Sequence, residues 1–175
     1  MKRKIALASF VVLACMFAVA QQKQRQSPPG TAEFTFQDGK KVQITYHRPS
    51  MRGRKIYGGL VPFNQVWRTG ANEATTLKTD VALDINGTQV PAGAYTLFTL
   101  PSEGTWKLIV NKQTGQWGTD YKQDQDLARI DMQKEALPEP AEQFTISFEP
   151  EKGSTTQLNL DWEDTRQSVT VTAAK

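Results

Sequence analysis

The chain has 175 residues, a formal net charge of +3, one cysteine and one histidine. The whole positive excess sits in Lys2, Arg3 and Lys4; without them 18 basic side chains face 18 acidic ones, so composition gives no electrostatic case for nucleic acid. A lone cysteine excludes an internal disulfide, a lone histidine excludes a multi-histidine metal centre, and the length suffices for one domain to bury its own core.

Residues 1–20 carry the pattern of a secretory signal. Lys2-Arg3-Lys4 is the positive end, Ile5 to Val19 the apolar stretch, and Ala18-Val19-Ala20 the small-residue cleavage pattern. The apolar stretch is too short and wrongly flanked for a membrane span. Val12-Leu13-Ala14-Cys15 offers an alternative, lipid anchoring through Cys15, but the residues after that cysteine are apolar where a lipid-anchored protein needs a polar tether. The expectation is an exported protein, periplasmic or at the cell exterior, that begins at Gln21. Residues 21–30, QQKQRQSPPG, read as a flexible tether, and residues 31–175 as a single domain.

From Thr31 the apolar residues alternate with polar ones, the period of strands with one face in a core. Ala32, Phe34 and Phe36 lead through Asp38-Gly39 into Val42, Ile44 and Tyr46, which predicts a hairpin. Val81, Leu83 and Ile85 lead through Asn86-Gly87 into Thr88-Gln89-Val90, a second hairpin. Further strands are predicted over Tyr95–Leu100, Trp106–Val110, Phe144–Phe148, Leu158–Trp162 and Val169–Val171. Residues 129–135 fit a strand or a short helix, and Pro138 and Pro140 mark a loop. About nine short strands predict an all-β domain, a β-sandwich or jelly roll, with a partly closed barrel as the alternative.

The segment Tyr46–Leu77 is denser in chemistry than the rest. It holds Arg48-Pro49-Ser50, Gly53-Arg54, Tyr57-Gly58, Val61-Pro62 and Trp67-Arg68-Thr69-Gly70-Ala71-Asn72-Glu73-Ala74-Thr75. With these elements, and more loosely through Gly93–Leu97 to Trp162-Glu163, the chain resembles the secreted bacterial family catalogued as domain of unknown function 2911. That resemblance implies an exported domain and names no activity, substrate or site.

No motif of a known hydrolase, zinc protease, nucleotide-binding loop or dinucleotide fold is present. Asp120, Asp124 and Asp126 lack the glycine and terminal glutamate of a calcium loop, so neither a metal nor a cofactor is expected. Between Asp38 and Glu73 there are seven Lys and Arg side chains and no acid, whereas residues 120–164 hold twelve acids and four bases. Two arrangements account for this segregation. The early and late segments can pack together and neutralise each other, or the arginines can form a rim for carboxylate, sulfate or phosphate groups. The Trp67–Glu73 block likewise reads either as a structural corner, with Arg68 and Glu73 paired across the Gly70 turn, or as a site offering an aromatic platform, a cation, an amide and a carboxylate.

The candidate ligand-binding residues are Arg48, Arg54, Trp67, Arg68, Asn72 and Glu73. The sequence points to a binding or structural module for a small polar or anionic ligand. The alternative is a hydrolase of a sugar or anionic small molecule with Glu73 or His47 as its acid or base.

Overall fold

A computed structural model describes residues 26–150 and 152–174. The signal segment and Cys15 lie outside the described residues. Eleven strands form two sheets: β1 (Pro29–Phe36), β2 (Lys41–His47), β3 (Thr75–Thr79), β4 (Leu83–Ile85), β5 (Thr88–Val90), β6 (Gly93–Leu100), β7 (Lys107–Asn111), β8 (Asp126–Asp131), β9 (Gln133–Glu149), β10 (Lys152–Gly153) and β11 (Thr155–Ala173). The larger sheet runs β10-β1-β2-β3-β6-β7-β8 and the smaller β5-β4-β11-β9. They stack as a sandwich and do not close into a barrel.

Both hairpin turns fall where the sequence puts them. Asn86 and Gly87 take φ of 47° and 82°, the left-handed pair that matches strand twist in a tight hairpin. The Asp38-Gly39 turn is one residue longer than expected: Phe36 N–H donates to Lys40 O at 2.8 Å, leaving three residues in the loop with Gly39 left-handed at 81°.

The alternation predicts the core well. Phe34, Phe36, Val42, Ile44, Tyr95, Leu97, Trp106, Leu108, Phe144, Ile146, Phe148, Leu158, Leu160 and Trp162 are all buried. Rings mesh across the sheets, Phe34 against Phe148 at 6.1 Å and Tyr46 edge-on to Phe144 at 5.8 Å. A polar clamp joins them at the same place: the Tyr46 hydroxyl accepts from Ile146 N–H at 2.8 Å and donates to Ile146 O at 3.3 Å.

Four elements depart from expectation. β3 is a strand in which Thr75, Leu77 and Thr79 turn inward, so only one apolar residue announces it. Residues 129–135, open between helix and strand, are extended and belong to β8 and β9. Leu158–Trp162 and Val169–Val171 are one strand, β11, interrupted by bulges at Asp161–Thr165. Pro138 and Pro140 lie inside β9 rather than in a loop, on an edge strand where the ladder to β11 skips from Ala136–Thr165 to Ala141–Glu163. An edge strand tolerates proline because no ladder bond needs its missing N–H.

The outer face of the large sheet is also covered locally. Phe98 and Ile109 are buried on the side away from the main core, because the 112–122 loop folds back and sets Tyr121 edge-on to Phe98 at 4.9 Å. That returning loop builds one wall of the site.

Candidate functional site

Trp67 pairs with Thr99 of β6 through two backbone bonds of 2.8 and 2.9 Å. Thr75 then pairs with Leu97, two positions further along the same strand. Seven residues, 68–74, therefore stand opposite the single residue Phe98, and they leave the sheet as a pinched loop. Left-handed φ at Thr69 (51°) and Asn72 (59°), with 145° at Gly70, lets the chain double back. Gly70 is required twice over, since a Cβ there would also sit 2.9 Å from His47 O. Threonines fasten the base of the loop: Thr75 Oγ1 donates to Thr69 O at 2.7 Å, and Thr69 Oγ1 to Thr99 Oγ1 at 3.2 Å.

The far side of the loop is tied to the 112–122 segment. Gly118 N–H donates to Asn72 O at 3.1 Å and Ala74 N–H to Gln116 O at 3.3 Å. The two loops touch so closely that a Cβ on Gly118 would lie 2.7 Å from both Arg68 Cδ and Asn72 O.

A third wall comes from residues 49–61. Its Tyr57-Gly58 turn is clasped from β11, where the Glu163 carboxylate accepts Ile56 N–H at 3.2 Å and Tyr57 N–H at 3.3 Å. Glu163 is itself left-handed (φ 56°) at the bulge, which aims its side chain out of the strand's alternation. This accounts for the Trp162-Glu163 pair accompanying the signature from so far down the chain.

The three walls enclose an open cleft of about 710 Å³, within the usual range for small-molecule sites. Arg54, Trp67, Arg68 and Asn72 line it, and Tyr121 joins them from the 112–122 loop. Among the described residues the lining holds two arginines and no carboxylate. Trp67 is fixed by stacking on Trp162 (5.7 Å, 19° between planes) and by an edge contact to Phe144 at 5.0 Å, and the rest of its ring borders the cleft. Arg54 is held by its own loop, donating from Nε to Met51 O at 2.9 Å and from Nη2 to Ser50 O at 2.7 Å. The Tyr121 hydroxyl donates to Asp126 Oδ2 at 2.7 Å and accepts from Arg129 Nη2 at 2.7 Å. Burial, and then its bond to the Asp126 carboxylate, pushes the Tyr121 phenol up to about 12.

Arg68 stands apart from these. Its side chain is partly buried and makes no hydrogen bond or ion pair among the described residues. Burial lowers its affinity for the proton, with no neighbouring acid to offset the loss. The expected pairing of Arg68 with Glu73 is not formed. Glu73 lies on the outward turn of the loop, in a bridge to Trp117, and its carboxylate meets His47 Nδ1 at 3.4 Å. Arg68 and the left-handed Asn72 line the cleft, whereas Glu73, the next residue, is not in its lining.

The remaining predicted residues divide in the same way. Arg48 points away from the cleft and seals the edge of β9, donating from Nε to Phe144 O at 3.3 Å and from Nη2 to Thr145 Oγ1 at 2.9 Å. Glu73 and His47 form a pair outside the cleft lining. Among the described residues no ion pair joins the early bases to the late acids. Asp126, Asp161 and Glu149 take Arg129 and Arg166, whereas Glu142 and Glu163, which do reach the basic segment, bind its backbone N–H groups. Tyr121 and Gly118 escaped the sequence reading because they lie far along the chain in a loop whose return over Phe98 no local pattern announces.

No curated protein and no solved structure matches this chain. A family model described as "Protein of unknown function (DUF2911)" matches residues 27–171, which takes in every strand from β1 to most of β11 and all three walls of the cleft. The chain belongs to that family.

Proposed function

We propose that this protein is an exported binding module whose cleft captures an anionic small molecule, or the acidic end of a larger one. The observation that carries the reading is Arg68: a partly buried guanidinium side chain, unpartnered among the described residues, in a lining whose described residues include a second arginine and no carboxylate. Covering a cation without a counter-charge costs free energy, and a two-oxygen anion would recover it through a bidentate contact. Arg54 supports the same ligand. Two of its five donors are spent on carbonyls of its own loop, which fixes the guanidinium and leaves the other donors for an incoming group. Trp67 and Tyr121 supply apolar surface and Asn72 an amide, so a sugar acid or an aromatic acid suits the walls better than a bare inorganic ion.

Binding is favoured over hydrolysis because Glu73 and His47, the acid and base that chemistry would need, stand outside the lining. Tyr121, with its raised affinity for the proton, is no base at neutral pH. The exported location rests on the Lys2-Arg3-Lys4 end, the apolar stretch and Ala18-Val19-Ala20. Intact mass of the secreted protein tests it, and a species acylated at Cys15 would count against a free protein starting at Gln21.

The binding test is a titration with sugar acids, aromatic acids and neutral sugars against the wild type and Arg68→Met. A sugar or aromatic acid should bind and the neutral sugars should not, and Arg68→Met should weaken binding by about tenfold to a hundredfold. Equal affinity for an acid and its neutral counterpart, or an unaffected Arg68→Met, would end the anion reading.

A further inference from the structure

The uncompensated positive charge does not stop at the cleft wall. Arg52, two residues before Arg54, is exposed, and its guanidinium donates from Nη1 to Gln26 Oε1 at 2.9 Å. Gln26 is itself a lining residue of the cleft, so Arg52 stands at its mouth. The acid nearest to that arginine in the hydrogen-bond network, Glu142, is turned to the backbone and accepts Arg52 N–H at 2.9 Å. No carboxylate pairs with the side chains of Arg52, Arg54 or Arg68 among the described residues. Lys55, next on the same loop, belongs elsewhere, because it borders a separate hollow of about 230 Å³ that it shares with Glu163 and Asp164.

Arg68 and Arg54 in the lining and Arg52, bonded to the lining residue Gln26, thus bring three cations to one open cleft. A single acid group can engage only part of that set. The same cleft is lined by groups that suit hydroxyls and ring faces: Asn72, Ser27 and Thr119 with Trp67 and Tyr121. A ligand matched to this surface has a charge on each repeating unit and polar rings between the charges.

We propose that the natural ligand is an acidic oligosaccharide, with one carboxylate-bearing sugar seated against Arg68 and its neighbours following Arg54 and Arg52 outward. The inference rests on the reading of the cleft as an anion site and extends it from a single acid to a chain. Successive sugars on one chain bind with the advantage of linkage, so affinity should depend on length.

Calorimetric titration with galacturonate and its linear oligomers of up to about six units tests this, at low and moderate salt. Affinity should rise by about tenfold or more from monomer to trimer and then level off, with steeper salt dependence for the trimer. Arg52→Asn is the informative variant, since asparagine tolerates the left-handed backbone that Arg52 adopts at φ 51°. It should pull the trimer-to-monomer ratio towards one, with the unfolding midpoint recorded to verify the fold. Equal affinity for monomer and trimer would overturn the chain proposal while leaving the anion site standing. Tripolyphosphate binding as tightly as the trimer would overturn the sugar assignment, since charge alone would then suffice. Failure of monomer and oligomers alike would overturn the acidic-sugar proposal, and the anion reading falls with it only if the aromatic acids also fail to bind.

Discussion

Arg48 and Arg68 carry the same guanidinium into opposite surroundings, and the difference separates structure from binding. Arg48 closes a strand edge by donating to a carbonyl and a hydroxyl, so removing it would strand acceptors. Arg68 satisfies nothing among the described residues, so its replacement by a side chain of similar volume should not weaken the fold. Arg68→Met is expected to leave stability unchanged or raise it by about 1 kcal/mol in urea unfolding, even as ligand binding is lost. A clear destabilisation would mean that Arg68 serves the fold. Tyr121 gives a pH signature at the same scale. Its phenol ionises near its ordinary value of 10.0 in the unfolded chain and near 12 in the fold, so between those values the native state keeps a proton that the unfolded state has lost. Stability must therefore fall as pH rises from about 10 to about 12, and Tyr121→Phe should flatten that fall in unfolding titrations. Tyr57, more deeply buried and facing Glu163, is shifted in the same direction and will account for part of the remaining slope.

At the scale of strands and loops, β2 and β9 meet across the sandwich where no ladder joins them. The Tyr46 hydroxyl substitutes for a neighbouring strand by binding both Ile146 N–H and Ile146 O. Tyr46→Phe leaves both groups without that partner and should cost about 1–3 kcal/mol, with anion affinity retained. Equal loss of binding would show that the cleft depends on this seam. What the sequence revealed at this scale follows from where the physical cause is local. Alternation set the phases of β1, β2, β6, β7, β9 and β11, and the Asp-Gly and Asn-Gly pairs located both turns. β3 was invisible because Thr75 and Thr79 occupy inward positions usually filled by apolar residues, one of them bonded to the loop it supports. Burial of Phe98 and Ile109 on the outer face depends on a loop arriving from residues 112–122, a tertiary event without a local signal. Arg54, Trp67, Arg68 and Asn72 could be picked out as a group because they are neighbours in sequence, yet the Arg68–Glu73 pair was misread. Proximity along a chain says little once left-handed residues reverse its direction.

On the scale of the molecule, the sandwich supplies rigidity and the loops supply chemistry. The core is continuous through both sheets, so a cavity such as that left by Ile146→Ala should cost about 2–5 kcal/mol wherever the unfolding is monitored. The cleft, by contrast, is walled by three segments that are each tied down at their roots: 49–61 by Glu163, 66–72 by Thr99 and Thr75, and 118–121 by Asn72 and Phe98. The pinched loop has one more property. Its chain departs from β6 at Thr99 and returns at Leu97, the very positions that an uninterrupted strand would occupy on either side of Phe98. Residues 68–74 are in effect a cassette spliced into a continuous rung sequence. A molecule in which one residue replaces all seven should keep its far-ultraviolet circular dichroism and its cooperative unfolding while losing anion binding. The same splice points would accept foreign loops, making the sandwich a frame on which new specificities can be mounted without redrawing a strand.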